Sequence, residues 1–311
     1  MRQNINEENI EGYLYQHNLK ERQTGQTSKH PGTDYISGTI DVATTEDLMN
    51  VLQIHYTYVT KTTKSGAPNR SYTVLKRIID EGKTVVTDGK EEAWVVRTSP
   101  SIALDDFYPE GGEELVSVPR NEGGFISIIN PRNLHDEGIE RNKFTVDALI
   151  TAVKPNEEDG SATLKAAIFN FRNDLLPITL TIRNEDGVNY FLGQDISNTN
   201  PFYTKVWGKI VSTIEKIQTE TESAFGEAAV DIRERRIREY VITGANKDPY
   251  IFGDGGDLTP EELKKAVEDR NVMLADQKQR NKEYYANRNA SSPSNAETTS
   301  TPDIARGSFD F

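Results

Sequence analysis

The sequence predicts a mainly β protein with a C-terminal surface helix and a disordered tail. Three observations predict it. Short apolar runs with strand alternation recur from about residue 33 to 258, separated by phrases rich in Gly, Pro, Asn and Asp. After "FGDGGD" the apolar spacing becomes helical. The run "NASSPSNAETTSTP" then contains no large apolar residue.

Composition sets the frame. The chain has 311 residues, no cysteine and a formal net charge of −13. That excludes disulfides and cysteine-ligated zinc, fits a reducing compartment, and argues against a non-specific basic coat for duplex DNA. No run approaches eighteen apolar residues, so no transmembrane helix is expected. The opening "MRQNINEENIEGYLYQ" lacks the pattern of a signal peptide. A soluble cytoplasmic protein is expected.

The elements are expected in this order. Residues 1–32 read as a flexible N-terminal arm, because "KERQTGQTSKHPG" is polar and turn-rich. Residues 33–143 read as a first β domain. Its first strand is "DYISGTIDV", with Gly38 marking a bend or bulge. "VLQIHYTYVT" alternates, with Leu52, Ile54, Tyr56 and Tyr58 on one face. "KSGAPN" is a turn, "RSYTVLKRII" the return strand, and "AWVVRT" and "GGFISII" two more strands.

Residues 144–258 read as a second β domain. "FTVDALITAV", "ATLKAAIFNF", "PITLTIRN" and "VNYFLG" are strands, and "YTKVWGKIVSTIEKI" with "GEAAVDIRERRIREYVIT" forms a long hairpin. The phrases "YISGTIDV" and "FTVDALITAV" open the two sets and suggest a duplication. Residues 259–288 form the helix: Thr259 caps it, Pro260 suits its first position, and Glu262 completes a capping box. Residues 289–311 form a disordered linker with a partner-binding tip.

No catalytic constellation is present. The histidines are scattered, and no phosphate loop or nucleophile motif occurs, so the chain reads as a non-enzyme without cofactor or metal. "FGDGGD" and "NEEDG" read as turns. The informative stretch is "YTYVTKTTKSGAPNRSYTVLKR". Lys61, Lys64, Arg70, Lys76 and Arg77 surround the turn without an intervening acid, and Tyr56, Tyr58 and Tyr72 are interleaved. Cations that follow phosphates and rings that stack bases are what single-strand binding requires. The second reading is also open: the tyrosines belong to a core and the lysines decorate a solvated hairpin. In "RERRIRE" the arginines alternate with glutamates, and a salt-bridged ladder with partners such as Glu220 and Glu222 is the preferred reading.

A strand with a central glycine, a basic hairpin and further strands suit an OB-like Greek-key barrel, one or two in number. The polar linker from Ala290 to Pro302 and the ending Phe309-Asp310-Phe311 resemble bacterial and phage single-stranded DNA-binding proteins, most closely the acidic phage type. Arg306 and the scarcity of acids depart from that pattern. The resemblance implies sequence-independent coating of single-stranded DNA in phage replication, recombination or repair. It also implies that Phe309, Asp310 and Phe311 recruit replication or recombination proteins. The alternatives are a virion structural or assembly protein and a small-ligand or carbohydrate-binding β protein.

Overall fold

A computed structural model describes residues 4–109, 112–221 and 229–291. The described residues include eleven strands and four α-helices. The first ten residues of ordered chain already break the expected arm. β1 (Asn6–His17) and β2 (Lys20–Gln23) precede β3 (Asp34–Ala43) and β4 (Val51–Thr60). Ile10 and Leu14 are fully buried, and they supply the alternation that the acids Glu8 and Glu11 obscure.

Helix α1 (Arg70–Glu81) follows, then the short α2 (Val85–Asp88). The expected return strand is thus a helix. Asn69 caps it by accepting from Ser71 N, and Tyr72, Leu75 and Ile78 recur at helical spacing on its buried face. On its other face, Lys76 pairs with Asp80 and Arg77 with Glu81. β5 (Val95–Phe107) and β6 (Val116–Ile129) complete the first half. Both are much longer than the sequence phrases that announced them.

β1 pairs with β3, β3 with β4, β4 with β6 in parallel, β6 with β5, and β5 with β1. The ring closes, giving a five-stranded Greek-key barrel of OB type. β2 continues β1 beyond a bend at Asn18 and pairs with the start of β3. Gly38 permits this bend. Its φ is +135°, and a Cβ there would lie 2.7 Å from Asn18 O. Asn18 Oδ1 instead accepts from Thr39 N.

The second half repeats the plan. β7 (Asn142–Pro155), β8 (Ala162–Phe169) and β9 (Leu175–Ile182) lead to α3 (Glu185–Leu192), then to β10 (Phe202–Thr221) and β11 (Ala229–Ala245). The ring runs β7–β8–β9–β11–β10–β7, again with the third and fifth strands parallel. "VNYFLG", expected as a strand, lies in α3, which Asn184 caps through Gly187 N. The two phrases read as a repeat are not equivalent. "YISGTIDV" is the second strand of its ring and "FTVDALITAV" the first of its own; the true counterpart of the latter is β1.

The rings share one sheet because β1 also pairs with β7, Glu8 facing Phe144. One apolar core runs through both barrels. A second, smaller cluster lies outside the second barrel, beneath α4 (Pro260–Ser291). Thr259 and Glu262 form the expected capping box: Glu262 N donates to Thr259 Oγ1 at 3.2 Å and Thr259 N to Glu262 Oε2 at 3.0 Å. In the long β10–β11 hairpin, Arg235 faces Glu215, Arg233 faces Ile217, and Arg238 faces Ser212. Glu220 stands opposite Val230 in the register, and Glu222 lies outside the described residues. No described helix is long and apolar enough to cross a membrane.

Candidate nucleic-acid interface

In an OB barrel the outer face of the second and third strands, with its flanking loops, is where oligonucleotides bind. In the first barrel these strands are β3 and β4. Residues paired across a sheet share a face, and alternate residues along a strand share it too. Tyr35 pairs with Arg22 on one side and Thr60 on the other; Lys20 pairs with Ser37. Ile36 is fully buried, so Tyr35 and Ser37 point outward, and Lys20, Arg22 and Thr60 share their face.

Tyr58 joins this outer face by way of a bulge. Gly38 pairs with Tyr56 but Ile36 pairs with Val59, so Thr57 and Tyr58 together oppose Ser37. The bulge ends the alternation that put Tyr58 with Leu52, Ile54 and Tyr56. Tyr58 is 50% exposed and its ring centroid lies 4.6 Å from that of Tyr35, tilted by 45°. The result is a surface pair of rings with Lys20 and Arg22 beside it. Phe125, 80% exposed, adds a third ring on the outside of β6, the neighbour of β4.

The remaining expected residues divide. Lys61, Lys64 and Arg70 are exposed along the segment that joins β4 to α1. That segment is ordered by Thr63 N to Ala67 O and Asn69 N to Lys61 O, and its end reaches β6 where Ser71 Oγ donates to Gly124 O at 3.4 Å. Lys20, Arg22, Lys61, Lys64 and Arg70 form no ion pair among the described residues.

Tyr56 and Tyr72 do not belong to a stacking surface. Tyr56 is 2% exposed, and its hydroxyl shares a 3.1 Å hydrogen bond with Thr98 Oγ1. Burial pushes its phenol well above the ordinary tyrosine range. Tyr72, on the buried face of α1, donates to Glu21 Oε1 at 3.1 Å. Lys76 is held between Glu21 and Asp80, and Arg77 lies 4.9 Å over the Trp94 ring. Tyr72, Lys76 and Arg77 tie α1 to the barrel because the stretch is helical. Phe309, Asp310 and Phe311 lie outside the described residues. Sequence reasoning missed Lys20, Arg22 and Tyr35. The signal was present in "KER" and "DYI", but it needed the β2–β3 register to bring them beside Tyr58.

The lower part of the same face is closed by the second barrel. Arg238 of β11 donates to Pro119 O at 3.0 Å and to Gln53 O at 3.5 Å. Asn50 donates to Ile210 O at 3.1 Å and accepts from Ser212 N at 2.7 Å. His55 is half-buried there, and burial, with Arg120 and Arg238 nearby, lowers its pKa. The open part of the face is therefore the end that carries Tyr35 and Tyr58.

The family model named YorF matches residues 4–280. The chain belongs to the YorF family. A search of curated protein sequences returned no match. Among solved structures, a deletion mutant of the single-stranded DNA binding protein from Thermus aquaticus aligns at a TM-score of 0.44 and 10% identity, over 82% of this chain and 100% of that one. The wild-type form of that protein aligns at 0.44 and 10%, over 79% and 94%. For this member of the family the barrel assignment rests on the strand pairings themselves.

Proposed function

We propose that the chain binds single-stranded DNA without sequence preference, through the outer face of β3 and β4. One observation carries this reading: an exposed tyrosine, Tyr58, in ring contact with the half-buried Tyr35, with cations beside them that form no ion pair among the described residues, at the place where OB barrels take oligonucleotides. The rings stack bases of any identity, and Lys20, Arg22, Lys61, Lys64 and Arg70 follow the phosphates. An acidic chain fits this scheme because only the local charge of the face matters. Its strand-coating role belongs to DNA replication or recombination, and Phe309, Asp310 and Phe311 recruit a protein partner. These two points are supported by the resemblance of the sequence alone.

The test is a fluorescence titration of the full chain with labelled oligo-dT and with a duplex of equal length. Tighter binding to the single strand, with affinity falling by ~0.7 log units per log unit of salt for each phosphate neutralised, supports the proposal. Equal affinity for the two forms, or no binding at low salt, refutes it. Self-assembly without nucleic acid would favour a virion structural role instead.

A further inference from the structure

The second barrel has the same ring order as the first, so its β8 and β9 correspond to β3 and β4. Its outer face is in a different state. On β8, Ala166 and Ile168 point into the barrel, and Ala167 and Phe169 point out. Outward side chains of such a face are ordinarily open to solvent, yet Ala167, Phe169 and Leu175 are buried. Leu149 of β7 and Tyr203 of β10 extend the covered area.

The cover is the chain's own segment after β11. Tyr250, Phe252, Leu258, Leu263 and Ala266 pack on these residues. Tyr250 N donates to Tyr203 O at 2.8 Å and its hydroxyl to Asp147 Oδ1 at 3.0 Å. Arg270 of α4 donates to Leu175 O at 3.4 Å and pairs with Asp106 of β5 at 3.0 Å, both side chains at most 10% exposed. The segment is thus bolted to both barrels.

What remains beside α4 is a cleft of about 790 Å³ against Leu115 and, from β6, Ser117 and Pro119, floored by Lys165, Pro177 and Thr179. Its chemistry is unlike that of the first face. Tyr240 is buried, Arg238 is spent on backbone carbonyls, and Arg270 on Asp106. An exposed ring near this face, Phe171, stands on the β8–β9 turn with Arg172 at 5.1 Å.

We infer that single-strand binding is confined to the first barrel, because α4 and the segment before it permanently occupy the equivalent face of the second. This rests on the function proposed above. The second barrel then acts as a scaffold. It positions β11 against the lower part of the working face and sets the limit of the bound strand there.

The experiment titrates labelled oligo-dT into three full-length proteins: wild type, Tyr35→Ala/Tyr58→Ala, and Lys165→Ala/Phe171→Ala. All four positions carry side chains outside the barrel cores, and thermal melts verify folding; Arg22→Ala provides a second probe of the first face. The tyrosine variant is expected to lose at least about 30-fold in affinity, from two lost base stacks. The Lys165/Phe171 variant is expected to bind within about twofold of wild type. Loss of more than about fivefold in the Lys165/Phe171 variant, or wild-type affinity in the tyrosine variant, overturns the assignment to one barrel. Absence of binding by the wild type overturns the functional reading itself, and is a different result from either.

Discussion

Glu8 gives the sharpest quantitative prediction about the joint between the barrels. Its carboxyl is 3% exposed at the β1–β7 pairing, across from Phe144, which meets Tyr240 edge-on at 5.4 Å. Neither carboxyl oxygen has a hydrogen-bond partner among the described residues. Burial pushes its pKa up to about 8, against the pull of the nearby Arg238 charge and Tyr240 hydroxyl. The folded protein therefore holds a proton that the unfolded chain, titrating near the ordinary 4.5, has lost. Stability must fall as pH rises from about 4.5 to about 8 and level off above. At ~1.4 kcal/mol for each tenfold difference in proton affinity, the whole window is worth ~5 kcal/mol. Glu8→Gln keeps the neutral form at every pH. The assay is urea unfolding of both proteins from pH 5 to 9. The difference between them cancels the other titrating groups, including His17 and His55, whose lowered pKa values act in the opposite direction. The two proteins should match near pH 5, and the variant should be the more stable by several kcal/mol near pH 9. A flat difference, or a variant less stable at pH 9, would refute a buried neutral carboxyl at this joint.

Tyr58→Ala should weaken oligo-dT binding by ~1–3 kcal/mol in a fluorescence titration while leaving the salt slope unchanged, since stacking releases no counterions. Arg22→Ala should reduce that slope by ~0.7, measured between low and moderate salt, with the melting temperature unaltered. Tyr56→Ala should instead cost ~3–5 kcal/mol in a denaturant melt, because it removes a core ring. Gly38→Ala should destabilise the first barrel in the same assay, since its Cβ would overlap Asn18 O and its φ is +135°.

The strands of the second barrel and the C-terminal helix were legible because their patterns are strong: β9 and the first half of β8 alternate, and Thr259 to Glu262 spells a capping box. The first strand was not, because two of its buried positions are filled by acids. Glu11 illustrates how the fold tolerates this. Burial pushes its carboxyl up, but hydrogen bonds from Arg97 and His135 outweigh that and hold it below the ordinary range. No pattern of apolar residues can reveal such a strand. The α1 segment misled because "SYTVL" is rich in strand-favouring residues, while its helix is decided by the Asn69 cap and by packing of Tyr72, Leu75 and Ile78. The candidate site was half legible. Tyr58 and the Lys61–Arg70 cations lie in one basic stretch, but Tyr35, Arg22 and Lys20 come to it through strand pairing and one bulge.

The most direct test of the central claim is ultraviolet cross-linking of the full chain to oligo-dT, with the attached peptides mapped by mass spectrometry. Adducts are expected on Tyr35 and Tyr58, with Phe125 as a further site, and should disappear when unlabelled single strand competes but persist with duplex competitor. Adducts confined to β8, β9 or α4, with none on β3 or β4, would contradict it.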